Sequence, residues 1–139
     1  MKKYLILIGI IAVCMMSFKS SASYQNPVCK AMFYIDDPYY YAGCTYDFKV
    51  EVISLYPTDG YSQVFNTSYA NTWLSLPANT IVNGVWYVEP TTPDYYTMII
   101  WVSKNNGAWR YGRSNAWFSY SWGTYYLNSV NNITIPIDY

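Results

Sequence analysis

The sequence predicts an all-β protein, a single antiparallel β-sandwich of about seven or eight short strands. Three observations carry this. Apolar residues alternate with period two along several stretches, and beyond residue 23 none recurs at helical spacing. Turn-forming Gly, Pro, Asn and Asp interrupt the chain roughly every ten residues. Tyr, Trp, Val and Ile, which suit a pleated and half-buried surface, are abundant.

The first segment is an address. Lys2 and Lys3 precede the apolar run from Tyr4 to Phe18, and small residues at Ser21 and Ser23 mark a cleavage site before Tyr24. About 15 apolar residues fall short of the roughly 20 that a spanning helix needs, so residues 1–23 read as a cleaved signal peptide. Residues 24–139 then form one domain, with no integral membrane segment, exported to the periplasm, the cell surface or beyond.

The strands follow in order. Lys30–Ile35 reads as a strand that ends at Asp36-Asp37-Pro38. Thr45–Tyr56 is the clearest case: Tyr46, Phe48, Val50 and Val52 point one way, and Asp47, Lys49 and Glu51 point the other. Thr72–Pro77 is weaker. Thr80–Pro90 and Tyr95–Ser103 flank the turn-prone Pro90–Asp94. Ala116–Trp122, Thr124–Ser129 and Asn132–Ile137 complete the set. Ile133, Ile135, Ile137 and Tyr139 share one face of the last strand, where Pro136 suits an edge because it cannot donate to a ladder. A membrane barrel would need eight tilted strands of about ten residues, which nearly exhausts the chain. The overall layout resembles immunoglobulin-like and transthyretin-like sandwiches in architecture alone; no stretch carries a motif of either.

One hairpin turns on a single residue of register. With Asn106-Gly107 as a two-residue turn, Lys104 faces Trp109 and Val102 faces Tyr111. Met98, Ile100, Val102, Trp109 and Tyr111 then share the core face, while Tyr95, Trp101 and Arg110 share the outer face. A three-residue loop, Asn105 to Gly107, would reverse the second strand and aim Arg110 inward. Burying an unpaired guanidinium costs several kcal/mol, so the two-residue turn is expected, with Tyr95, Trp101 and Arg110 as ligand-binding residues.

Absences narrow the chemistry. There is no histidine, which removes Ser-His-Asp and Cys-His catalysis and the commonest zinc ligand. No phosphate-binding glycine loop is present. Once Lys2, Lys3 and Lys19 leave, 8 − 3 = 5 basic groups face 8 acidic ones, a formal charge of −3. That charge excludes nucleic acid as a partner. No catalytic residue, metal ligand or cofactor is expected. Cys29 and Cys44, an even pair in an exported chain, are expected to form a disulfide.

What remains is the aromatic load, 18 Tyr and 6 Trp, more rings than one core absorbs. Asp37–Gly43 and Phe118–Tyr126 are the best exposed stretches. The sequence therefore points to an exported, non-catalytic binding module whose exposed Tyr and Trp contact glycans or a surface protein. The alternatives are an adhesin-like assembly subunit of a cell-surface structure and a small secreted toxin or inhibitor. Amino-terminal sequencing of the exported protein should begin at Tyr24, and retention of residues 1–23 would refute the signal-peptide reading.

Overall fold

The computed structural model describes residues 23–54, 59–84, 86–88 and 96–139, with the backbone alone over 23–25 and 86–88. Residues 1–22 of the expected signal peptide, and Tyr95, lie outside the described residues. The strands run β1 (Ser23–Gln25), β2 (Val28–Lys30), β3 (Met32–Asp36), β4 (Tyr46–Ser54), β5 (Gly60–Tyr61), β6 (Phe65–Thr67), β7 (Trp73–Ser75), β8 (Trp86–Val88), β9 (Tyr96–Lys104), β10 (Trp109–Ser121), β11 (Thr124–Ser129) and β12 (Ile133–Pro136), with no helix among the described residues. The all-β class expected from the sequence is what the chain adopts.

A large sheet in the order β2-β11-β10-β9-β4-β5, with β6 also on β4, curls into half a barrel. The smaller sheet is β12-β3-β7, and β1 pairs with β8 in a ribbon. Most neighbours are antiparallel; β2 on β11 and β12 on β3 are parallel. The core lies between the two sheets. From the large sheet it takes Phe48, Val50, Val52, Met98, Ile100 and Val102, and from the small one Phe33, Ile35, Ile133 and Ile135. The Phe33 ring meets Phe48 across the two sheets, centroids 5.1 Å apart.

Period-two alternation decides the long strands. Tyr46, Phe48, Val50 and Val52 of β4 are buried, as the pattern requires, and so are Met98, Ile100 and Val102 of β9. Several boundaries differ from expectation. Lys30–Ile35 breaks at Ala31 into β2 and β3, and the described residues of Thr80–Pro90 supply β8 and isolated bridges at Ile81 and Asn83. The stretch read as two strands between 109 and 122 is one continuous strand of 13 residues.

The inward side of that strand is nearly bare, with Gly112, Ser114 and Ala116 all buried. A Cβ on Gly112 would overlap the Thr134 carbonyl oxygen, so the glycine is what lets β12 lie directly against β10. Ile133, Ile135 and Ile137 then sink into the core, each contributing roughly 1.5–3 kcal/mol if fully withdrawn from water. Pro136 stands on β12, at the edge of its sheet, where no donor is required.

The expected Cys29–Cys44 disulfide is not formed: both cysteines are buried free thiols. A bridge needs Cα atoms within about 7 Å. Cys29 sits on β2, at one end of the large sheet; Cys44 precedes β4, with β11, β10 and β9 intervening in the sheet order. Burial pushes the Cys29 thiol up to about 12. Its thiolate, the reactive form, is correspondingly scarce at neutral pH.

The loop after β3 is tied down by charge. Asp37, fully buried, accepts from Lys104 Nζ at 2.7 Å and from the Tyr46 hydroxyl at 2.6 Å. Its other oxygen accepts the Tyr39 amide at 2.9 Å, and Lys104 also donates to the Tyr39 carbonyl at 3.0 Å. Asn71 closes the loop through reciprocal bonds with the Asp37 backbone. Burial alone would raise the Asp37 carboxyl, but Lys104, Tyr46 and the Tyr39 amide together hold it below the ordinary 3.8. Burial would lower Lys104, and the bond and charge of Asp37 outweigh it and hold the amine above 10.5.

Lys104→Met should cost about 3–5 kcal/mol, because it strands a buried carboxylate. The pair's contribution is complete between pH 3.8 and 10.5. It is lost below that window as Asp37 protonates and above it as Lys104 deprotonates. Urea melts of both proteins across pH check this, and a loss under about 1 kcal/mol on substitution would contradict it.

Candidate binding face

The β9–β10 hairpin adopts the register the sequence argues against. Trp109 pairs with Ser103, Arg110 with Val102, Tyr111 with Trp101 and Gly112 with Ile100. The turn residues with positive φ are Asn105 (49°) and Asn106 (59°), and the Gly107 amide donates to the Lys104 carbonyl at 2.8 Å. Asparagine tolerates this left-handed backbone better than most residues. The two asparagines make the tight turn, and Ala108 is the extra residue before the strand resumes. That extra residue turns Trp109 and Tyr111 outward and Arg110 inward.

The expected cost of burying Arg110 does not arise, because its side chain stays 35% exposed at the end of the sheet and the C-terminus supplies a partner. Arg110 Nε donates to Asp138 Oδ1 at 2.6 Å, and the guanidinium lies 4.8 Å from the Tyr139 ring centroid. That hydrogen bond holds the Asp138 carboxyl below the usual carboxylate range. Tyr139 donates to the Ala108 carbonyl and accepts the Lys104 amide, and its ring packs so close to Gly107 that a Cβ there would clash. The expected placement of Arg110 beside Trp101 is therefore corrected: the two are on opposite faces of the sheet.

Trp101 does face outward, and its company is what the sequence reading missed. Its indole N–H donates to Glu51 Oε2 at 2.7 Å, while the Tyr61 hydroxyl donates to Glu51 Oε1 at 2.9 Å. Glu51, expected on a wet face, is 5% exposed beneath these rings. Its bond to the Tyr61 hydroxyl raises that hydroxyl's pKa. The Trp101 and Tyr111 rings meet at 4.9 Å, tilted by 50°. Lys49 extends between two rings, 4.7 Å from the Trp109 centroid and 5.5 Å from that of Tyr61. Tyr111 remains 51% exposed and Trp109 38%. Farther along the outer side of β10 come Arg113, Asn115 and Trp117, all exposed.

The arrangement is a tilted aromatic surface whose orientation is set by a buried carboxylate and an extended lysine. Rings so held present flat apolar faces at little entropic cost. A signal for Lys49 and Glu51 was available, since the alternation of β4 sends both outward. Tyr61 was not legible, because it comes from a two-residue strand. The two stretches expected to be exposed are so in part: Tyr39, Tyr40 and Tyr41 are exposed in one and Tyr120 and Trp122 in the other, whereas Asp37 is buried and Phe118, Tyr125 and Tyr126 are half-buried. Trp122, wholly exposed with φ of 50°, forms the tip of the β10–β11 hairpin. Among the described residues no three Asp, Glu, Cys or His side chains gather as a metal site would require. No helix among them is long and apolar enough to cross a membrane.

Compared with protein-family models, curated proteins and solved structures, the chain matches none, so its reading rests on its own geometry.

Two substitutions distinguish the faces of β10. Gly112→Ala should destabilise by about 1–3 kcal/mol, since the new methyl meets backbone. Tyr111→Ala, one residue away on the outer side, should cost less than about 1 kcal/mol. Denaturant melts measure both, and the reverse order would place β10 the other way round.

Proposed function

We propose that this protein is an exported, non-catalytic binding module that holds a glycan against the outer face of β4, β5, β9 and β10. The observation that carries the reading is Glu51. A carboxylate nearly removed from water, with each oxygen spent on orienting one aromatic side chain, is a costly way to build a surface that only meets solvent. It makes sense where ring orientation matters, as when the C–H face of a sugar stacks on the negative face of an indole or phenol. The curled large sheet over the small one is read as an open form of the β-sandwich that the strand pattern predicts, its convex side displaying the rings.

An assembly role has its own supporting patch. Trp73 is exposed on the edge strand β7, its ring 5.3 Å from that of Tyr34, with Met32 also exposed on β3. Such an edge suits a second chain better than a sugar.

Calorimetric titration of the purified exported protein against a broad oligosaccharide panel tests the first reading. Trp101→Ala should weaken binding about tenfold or more, with the circular dichroism spectrum unchanged. Absence of binding across the panel, together with concentration-dependent self-association that Trp73→Ala abolishes, would favour assembly instead.

A further inference from the structure

We infer that the glycan is acidic and that Arg113 receives its carboxylate. The inference rests on the glycan reading and narrows its ligand class. Residues 24–139 carry five cations, Lys30, Lys49, Lys104, Arg110 and Arg113. Lys104 is spent on Asp37 and Arg110 on Asp138. Lys30 lies 3.9 Å over the Tyr126 ring, and Lys49 reaches the Trp109 and Tyr61 rings. Arg113 is exposed, and among the described residues no ion pair, side-chain hydrogen bond or ring contact occupies it.

Its position is as telling as its freedom. Arg113 continues the outer row of β10, about 7 Å beyond Tyr111 at the ordinary strand rise. It also lines a polar recess of ≈ 460 Å³ with Thr97, Ser114, Asn115 and Asn131. The lining holds hydroxyls, carboxamides and one guanidinium, the groups that match a sugar's hydroxyls and a carboxylate. A guanidinium binds a carboxylate through two parallel N–H donors, which fixes orientation as well as charge. The nearest acid in the strand register is Glu51, whose partner on β9, Ile99, is also the partner of Arg113. Glu51 accepts from Trp101 and Tyr61, and no ion pair joins it to Arg113 among the described residues. The overall negative charge of the domain is screened beyond about 8 Å at physiological salt, which leaves Arg113 to set the local preference. One sugar unit stacks on Trp101 and Tyr111, and the next sets its carboxylate in the recess.

The test uses matched pairs: oligomers of galacturonate, glucuronate and mannuronate, each beside its carboxyl-reduced neutral counterpart, titrated into the purified exported protein. At least one acidic member should bind about tenfold more tightly than its neutral twin, and added salt should narrow the gap. Arg113→Gln should erase that preference, and Arg113→Lys should retain only part of it. Trp101→Ala should weaken both members of a pair, which marks the platform apart from the charge contact. Equal binding of twins, or a preference for the neutral one, overturns the acidic assignment while the glycan reading stands. Binding to neither set across the panel removes the glycan reading and this inference with it.

Discussion

The bare inner side of β10 is the constraint on which the rest depends. Gly112, Ser114 and Ala116 leave no side-chain bulk between β10 and whatever packs beneath it. β12 fills that slot, pairing in parallel with β3 and burying a row of isoleucines. Close packing of backbone on backbone is unforgiving, because a single methyl has nowhere to go. Once β12 is seated, the chain beyond it emerges at the turn end of the β9–β10 hairpin. That brings Asp138 and Tyr139 to Arg110, Gly107 and Ala108.

The register of the hairpin then follows from electrostatics. Arg110 and Arg113 are three apart on one strand, so any register sends one inward and the other outward. The expected register keeps Arg110 outside but would bury Arg113 opposite Ile100, deep in the sheet. The observed register turns inward the arginine nearer the sheet's end, where a carboxylate and a phenol ring meet it. The same choice frees Arg113 for solvent and gathers Trp109, Tyr111 and Trp101 on one side. The aromatic face is a consequence of where two guanidiniums can be accommodated.

The last residue of β9, at the same turn end of the hairpin, shows the same economy of charge. Lys104 ends the strand inside the protein, and Asp37, Tyr46, Tyr39 and Asn71 build a closed polar network around it. Pairs this well satisfied hold a loop in place, although apolar residues of similar volume could provide as much stability. With the core rings in Phe33, Phe48 and Tyr46, and the loop anchored by charge, the surplus aromatics are left for the surface. They collect on the outer sheet face, at the exposed Tyr39–Tyr41 loop and at the β10–β11 tip.

The sequence by itself determines the β class and the faces of β4 and β12, because in those strands large apolar side chains alternate with polar or smaller ones. A slip of one residue there would expose an entire hydrophobic row, a penalty no distant contact could repay. It also places Pro136 on an edge and sends the surplus rings to the surface. On β10 the contrast is weak: one side reads Trp, Tyr, Arg, Asn, and the other Arg, Gly, Ser, Ala. Local pattern cannot rank those sides, since each holds one arginine and neither is strongly apolar. The decision comes from Asp138, 28 residues farther along the chain, and from a glycine that leaves room for β12. The burial of Glu51 is likewise tertiary, for its carboxylate becomes tolerable only when Trp101 and Tyr61 arrive from other strands with donors to satisfy it.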